Sequence, residues 1–243
     1  MRKILVCSLV FTAACTAAWM SLALAREPNF VAPDQVNAIM ILPAPPADES
    51  EATKAELAEL HAIEGRRTQA DIDHAKADEA EEDIFIFKTI FGNTGDKFTA
   101  TALPLTAALS ARVRNDESVN SYAAKEAFHR QRPYNQDKTL HPVCKTGPKD
   151  NSYPSGHATV GYLEGLVLAS MVPEKRDAIL ARADDYAHNR LVCGVHHASD
   201  VEASKRIAYA IFAIMANNPQ FQIERAAARA EVRNALELPS SAN

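Results

Sequence analysis

The sequence predicts an all-α protein built as a single-domain helical bundle. Composition points there first: 47% of the residues are hydrophobic and 23% charged, with many Ala and Leu and only 8 Gly against 13 Pro. Prolines stand where helices must start or stop, and no strand-like alternation or solenoid-length repeat interrupts them. With 243 residues the chain allows one large domain or two small ones, and the linkers between its helices are too short to separate a second.

The formal net charge is -5, with no basic stripe. Phosphate backbones are held by clustered Lys and Arg, so nucleic acid is not an expected partner. Any anion handled here must be met by a few local cations.

Residues 1–25 read as an export signal. Arg2 and Lys3 precede an apolar run from Ile4 to Leu24, and Ala23, Leu24 and Ala25 give the small, any, small pattern of a cleavage site. The same run would serve as a retained anchor, and Cys15 after Thr12, Ala13 and Ala14 is a candidate lipidation site. Cleavage after Ala25 removes two cations and leaves an acidic mature chain of net charge -7, expected in the periplasm or outside the cell. Only Cys144 and Cys193 then remain, 49 positions apart, as a candidate disulfide or as two buried thiols. By chain entropy such a bridge contributes about 3–4 kcal/mol. Past the signal no apolar stretch approaches the roughly 20 residues that cross a bilayer.

Residues 26–47 hold Pro28, Pro33, Pro43, Pro45 and Pro46, spacing that forbids a helix and suits an extended arm on its own domain or on a second copy in a homo-oligomer. The helical domain is expected over residues 48–243. Asp48 with Glu51 opens a helix to Gly65; Thr68 with Asp71 opens another that runs through an acidic stretch into Ile84, Phe85, Ile86, Phe87 and Ile90. The acidic residues Asp78 to Asp83 read as a solvated face. Further helices are expected over about Pro104–Val113, Glu117–Arg130, His157–Met171, Glu174–Arg190, Ser199–Ala216 and Gln220–Leu236.

Three clusters carry chemistry. Lys125 and Arg132 lie seven apart, about 700° of helical turn, so both project from one side if the helix lasts that far. Like charges on one face repel unless an anion sits between them, although cations at a helix C-terminus are also ordinary. In Asn151, Ser152, Tyr153, Pro154, Ser155, Gly156, His157, a loop runs directly into a helix, presenting amides and a hydroxyl as an anion cradle or simply as a capped start. His157 beside it is placed as a proton donor. Last, Arg190 precedes His196 and Asp200, whose four-residue spacing lets the carboxylate orient the imidazole as a nucleophile. Zinc needs three or four convergent ligands and the adjacent His197 points elsewhere, so neither metal nor other cofactor is expected.

Lys125, Arg132 and Pro133, then Pro154, Ser155, Gly156 and His157, then Arg190, His196 and Asp200 together resemble the three-part signature of the type 2 phosphatidic acid phosphatase (PAP2) superfamily. Within it, the run from Ser152 to His157, the size and the export signal are similar to class A bacterial non-specific acid phosphatases. The resemblance implies the helical bundle shared with vanadium haloperoxidases and a metal-independent acid phosphatase acting on a broad range of phosphomonoesters, with phosphate passed to alcohols as a further activity. It implies a phosphohistidine on His196, oriented by Asp200, with His157 as acid and base and Lys125, Arg132, Ser155, Gly156 and Arg190 on the phosphate. Asn189 stands where the superfamily usually has serine, while Asn151 and Ala158 replace a glycine and a threonine; Asn keeps a donor for phosphate and Ala does not. Two other readings compete, a vanadium-dependent haloperoxidase and a non-catalytic exported protein that binds an anion.

Overall fold

A computed structural model describes residues 27–147 and 150–238. The signal of residues 1–25, with Cys15, lies outside them. Among the described residues the fold is all-helical, with no strand. Short α1 (Ala38–Ile41) lies in the arm, followed by α2 (Glu51–Arg66), α3 (Gln69–Ala80), α4 (Pro104–Phe128), short α5 (Pro133–Gln136), α6 (Gly156–Met171), α7 (Arg176–Val192), α8 (Ala198–Met215) and α9 (Pro219–Ala235).

Helix α6 is apolar on nearly every face, and a helix of that kind belongs in the middle. It packs against α4, α7 and α8. Gly161 lets α7 come close, since a Cβ there would collide with the Tyr186 ring. The fold therefore holds the first turn of α6 rigidly beside the ends of α4 and α7.

Several elements depart from expectation. The two helices expected between Pro104 and Arg130 form one, α4, because the polar residues between them are helix-compatible and Asp116, Glu117 and Asn120 are buried against other elements. Helix α2 starts at Glu51 on a Ser50 cap, not at Asp48, while Thr68 and Asp71 form the expected capping box. Helix α3 stops at Ala80; Asp83 then caps a 3-10 segment, Ile84–Lys97, broken at Gly92. Its Ile84, Phe85, Ile86 and Phe87 enter the core in that tighter form.

The Pro-rich arm packs on its own chain. The Asp116 carboxylate accepts from the amides of Asn29, Phe30 and Val31 at 2.6, 2.7 and 2.9 Å, and Arg112 lies 4.4 Å over the Phe30 ring. One helical turn, α1, forms after all, because the residues between Pro33 and Pro43 leave room for it.

Cys144 and Cys193 are joined, with Cα atoms 5.1 Å apart. The bridge and the Val143 amide on Cys193 O (3.0 Å) fasten the loop after α5 to the end of α7, three residues before His196. No described helix is long and apolar enough to cross a membrane.

One buried acid has a thermodynamic consequence. Glu164, two turns beyond His157 on α6, is fully enclosed; Ser110 Oγ lies 2.7 Å from Oε1, and Oε2 has no partner. Burial pushes its carboxyl well above the ordinary range. A raised acid stabilises the fold fully only below its unfolded value and loses that contribution as pH rises, by about 1.4 kcal/mol per pH unit up to the folded value. Glu164→Gln should therefore be more stable than wild type at pH 7, by roughly 1–3 kcal/mol in urea denaturation, with the gain vanishing near pH 4. A gain equal at both pH values would contradict the buried, protonated acid.

Candidate active site

The three sequence clusters meet at the ends of α4, α6 and α7. Helix α4 does not reach Arg132, as the one-face reading required. It ends at Phe128, His129 turns left-handed (φ 46°), and the chain doubles back so that Arg132 becomes the cap residue of α5. Convergence comes from this reversal.

Lys125 Nζ donates to Asn151 O (3.1 Å) and to Pro154 O. Arg132 donates from Nε and one terminal nitrogen to Asn151 Oδ1 (3.2 and 3.0 Å) and from the other to Val195 O (3.0 Å), with His196 Nε2 at 2.8 Å from that same nitrogen. Burial lowers the Lys125 ammonium to about 8, with Arg132 adding to the effect and Glu117 opposing it. These are crowded cations, and an anion bound between them would relieve the repulsion that Glu117 and Asp200 only partly offset.

His196 does not share a helical turn with Asp200; it precedes α8, and Asp200 sits in the first turn of that helix. The pair still meets, Nδ1 to Oδ2 at 3.3 Å, with both residues buried. Asp200 Oδ2 also accepts from Ser152 Oγ (2.6 Å) and the His197 amide (2.8 Å), while Oδ1 takes Arg130 at 2.7 Å. Burial opposes ionisation, but the His196 and His197 rings hold its carboxyl well below the carboxylate range. A guanidinium can only donate, so His196 Nε2 beside Arg132 carries a lone pair and Nδ1 carries the proton toward Asp200. Burial first, then Arg132, keeps this imidazole neutral, well below its ordinary value. That is the tautomer a nucleophile needs.

Ser155 caps α6, its Oγ accepting from Ala158 N at 3.4 Å. The Gly156 and His157 amides, first in the helix, have no intrahelical acceptor and face the positive helix end. Arg190, in the last turn of α7, is buried; its nearest carboxylate, Glu79, is 3.7 Å away, and its Nε has no partner. A buried guanidinium so weakly engaged suits an incoming oxyanion.

The acidic stretch is not a solvated face. Glu79 and Glu82 turn toward the site: His157 Nε2 lies 2.8 Å from Glu82 Oε1 and 3.3 Å from Glu79 O. Burial, with Arg190 next, drives the His157 imidazolium down to about 3. His157 opens onto two grooves, one of about 230 Å³ between Tyr122, Arg114, Glu82 and Lys125, the other of about 610 Å³ along Glu79, Asp83 and Lys145.

Sequence reasoning missed Arg130, which ties Asp200 to Glu56 of α2, and left His197 either behind the site or at the surface. His197 is buried, with its ring between Asp200 and Gln136. Asn189 is not a phosphate donor here; its amide donates to Asp78 at 2.7 Å. Asp78 and Asp185 also come near His74 in a group with metal-ligating geometry, but Arg182 already donates to both carboxylates, at 3.0 and 2.9 Å.

Comparison with known proteins places this geometry. Residues 100–224 match the family model described as the PAP2 superfamily, a span that contains the whole signature from Lys125 to Asp200. The chain is 37% identical over 105 residues to a non-specific acid phosphatase of Providencia stuartii, covering 41% of this chain and 42% of that protein. It is 33% identical over 138 residues to an acid phosphatase of Zymomonas mobilis, covering 55% and 52%. The matches thus span about half the length of these curated relatives. Among solved structures, a transmembrane PAP2-type phosphatidylglycerolphosphate phosphatase from Bacillus subtilis aligns over 74% of this chain and 88% of that one, at 16% identity and a TM-score of 0.48. By the family match across half its length, and by the cations and histidines that match gathers, this chain belongs to the PAP2 superfamily.

Proposed function

We propose that this chain is an exported, metal-independent acid phosphatase that hydrolyses phosphomonoesters through a phosphohistidine. The observation that carries the reading is the fixed tautomer of His196: Nδ1–H toward Asp200 and an unprotonated Nε2 beside the Arg132 guanidinium. Nε2 attacks phosphorus, the P–O bond to the alcohol breaks, and His157 gives the leaving oxygen a proton. His157 then takes a proton from water, which attacks the phosphohistidine and releases phosphate; an alcohol in place of water gives phosphate transfer. Phosphoryl transfer depends mostly on positioning and charge, and Lys125, Arg132, Arg190 and the Gly156 amide supply both.

The acid role needs a protonated His157, although burial and Arg190 disfavour it. A phosphoryl dianion offsets Arg190 and the weaker influence of Arg132, so substrate binding raises the proton affinity of His157. The smaller groove beside Lys125 and His157 takes the alcohol, with the exposed Tyr122 as one wall.

Release of p-nitrophenol from p-nitrophenyl phosphate in EDTA tests the reading. Turnover that survives the chelator, falls with vanadate and follows an acidic bell-shaped pH profile is expected. The alkaline limb follows from Lys125 losing its proton and His157 failing to hold one. No turnover, loss of turnover in EDTA, or a flat profile through pH 9 would overturn it.

A further inference from the structure

The position of Asn151 carries an inference that rests on the phosphatase reading but concerns a residue the signature does not include. Its side-chain oxygen accepts from two nitrogens of Arg132, at 3.2 and 3.0 Å, while its backbone oxygen accepts from Lys125 at 3.1 Å. One residue thereby grips both cations through two different oxygens. The third nitrogen of the Arg132 fork is left to Val195 O and His196 Nε2. With all three nitrogens of the planar guanidinium engaged, the group is held against rotating away from the imidazole.

We infer that Asn151 is a positioning residue for His196, acting through Arg132: its carboxamide oxygen clamps the guanidinium so that one nitrogen stays on Nε2 and holds it in the unprotonated tautomer until a phosphoryl oxygen takes over that N–H and frees the lone pair. A glycine at this position keeps the backbone contact with Lys125 and loses the clamp. The groups that face His196 are Arg132 from the loop before α5, Arg190 from α7, Asp200 from α8 and the Ser152 hydroxyl, with His197 next in the chain. Arg132 and Arg190 disfavour the imidazolium and Asp200 favours it. Loosening Arg132 removes one of the two repulsions, so His196 should hold a proton to higher pH. Only the neutral imidazole attacks, and the acid limb of the kcat/KM profile should move with it.

The test uses Asn151→Ala, Arg132→Ala and the double variant in the full chain. Asn151→Ala should lose about tenfold in kcat/KM, shift the acid limb upward by about half a pH unit, and leave thermal unfolding near wild type, since the residue is half-buried. In the Arg132→Ala background it should add no further loss, because the effect passes through Arg132. Nitrogen-15 spectra of the His196 ring, recorded without substrate, should show one fixed tautomer in wild type and exchange between two in Asn151→Ala. An unmoved acid limb, additive losses, or an unchanged ring spectrum would overturn the inference. Because the spectra need no turnover, a wild-type protein that hydrolyses no phosphomonoester would defeat the phosphatase reading alone, and the ring nitrogens would still judge the clamp.

Discussion

His196→Ala should abolish turnover while leaving phosphate binding largely intact. The imidazole is the group proposed to form the bond to phosphorus, whereas Lys125, Arg132, Arg190 and the Gly156 amide are expected to hold the oxygens without it. Removing a nucleophile from a preassembled site costs on the order of 10³ or more in kcat. Inhibition by inorganic phosphate should change only a fewfold, because the cations stay and the lost side chain is uncharged in the free protein. Steady-state kinetics with phosphate as a competitor reads both numbers. Near wild-type kcat would remove His196 from the chemistry; lost phosphate inhibition with retained turnover would show that its part is binding.

Arg130→Met should be the most destabilising single change near the site. The Arg130 side chain is 1% exposed and donates to Asp200 Oδ1 and Glu56 Oε2, both at 2.7 Å, and to Ser199 Oγ at 2.6 Å. Glu56 also accepts from the Ser199 amide at 2.7 Å, so the guanidinium fastens α2, α8 and the loop before α5 at one point. Methionine keeps the stem and deletes the charge, leaving buried Asp200 and half-buried Glu56 without their cation. Breaking a buried pair in this way costs about 3–5 kcal/mol. Denaturant unfolding should register that loss, and kcat should fall as well, because Asp200 without its cation holds a proton more readily and orients His196 less well. A loss below about 1 kcal/mol would mean that water reaches the pair and screens it, as it does for exposed ion pairs.

The readable part of this protein was the part written in local sequence. Thr68 with Asp71 and Ser155 before Gly156 name their own caps, and the all-round apolarity of α6 marks it as central. The signature residues could be named because their chemistry depends on residue type. What sequence left out depends on the path of the chain. The left-handed turn at His129 is made by a residue with no strong preference for it, so Lys125 and Arg132 were expected on one helix instead of on two sides of a reversal. Glu79 and Glu82 look like solvent-facing acids until α3 is docked on α7, which sets them against Arg190 and His157. Arg130 finds Glu56 across 74 positions, a pairing no local pattern announces. Asn189, placed by alignment of motifs on the phosphate, instead serves the Asp78 to Arg182 network behind it.

A crystal structure with orthovanadate bound bears most directly on the whole account. Vanadium should sit at bonding distance from His196 Nε2, with Lys125, Arg132, Arg190 and the Gly156 amide on its equatorial oxygens and His157 at the apical oxygen opposite. Vanadate elsewhere, or held in this space with Nε2 turned away from the metal centre, would contradict it.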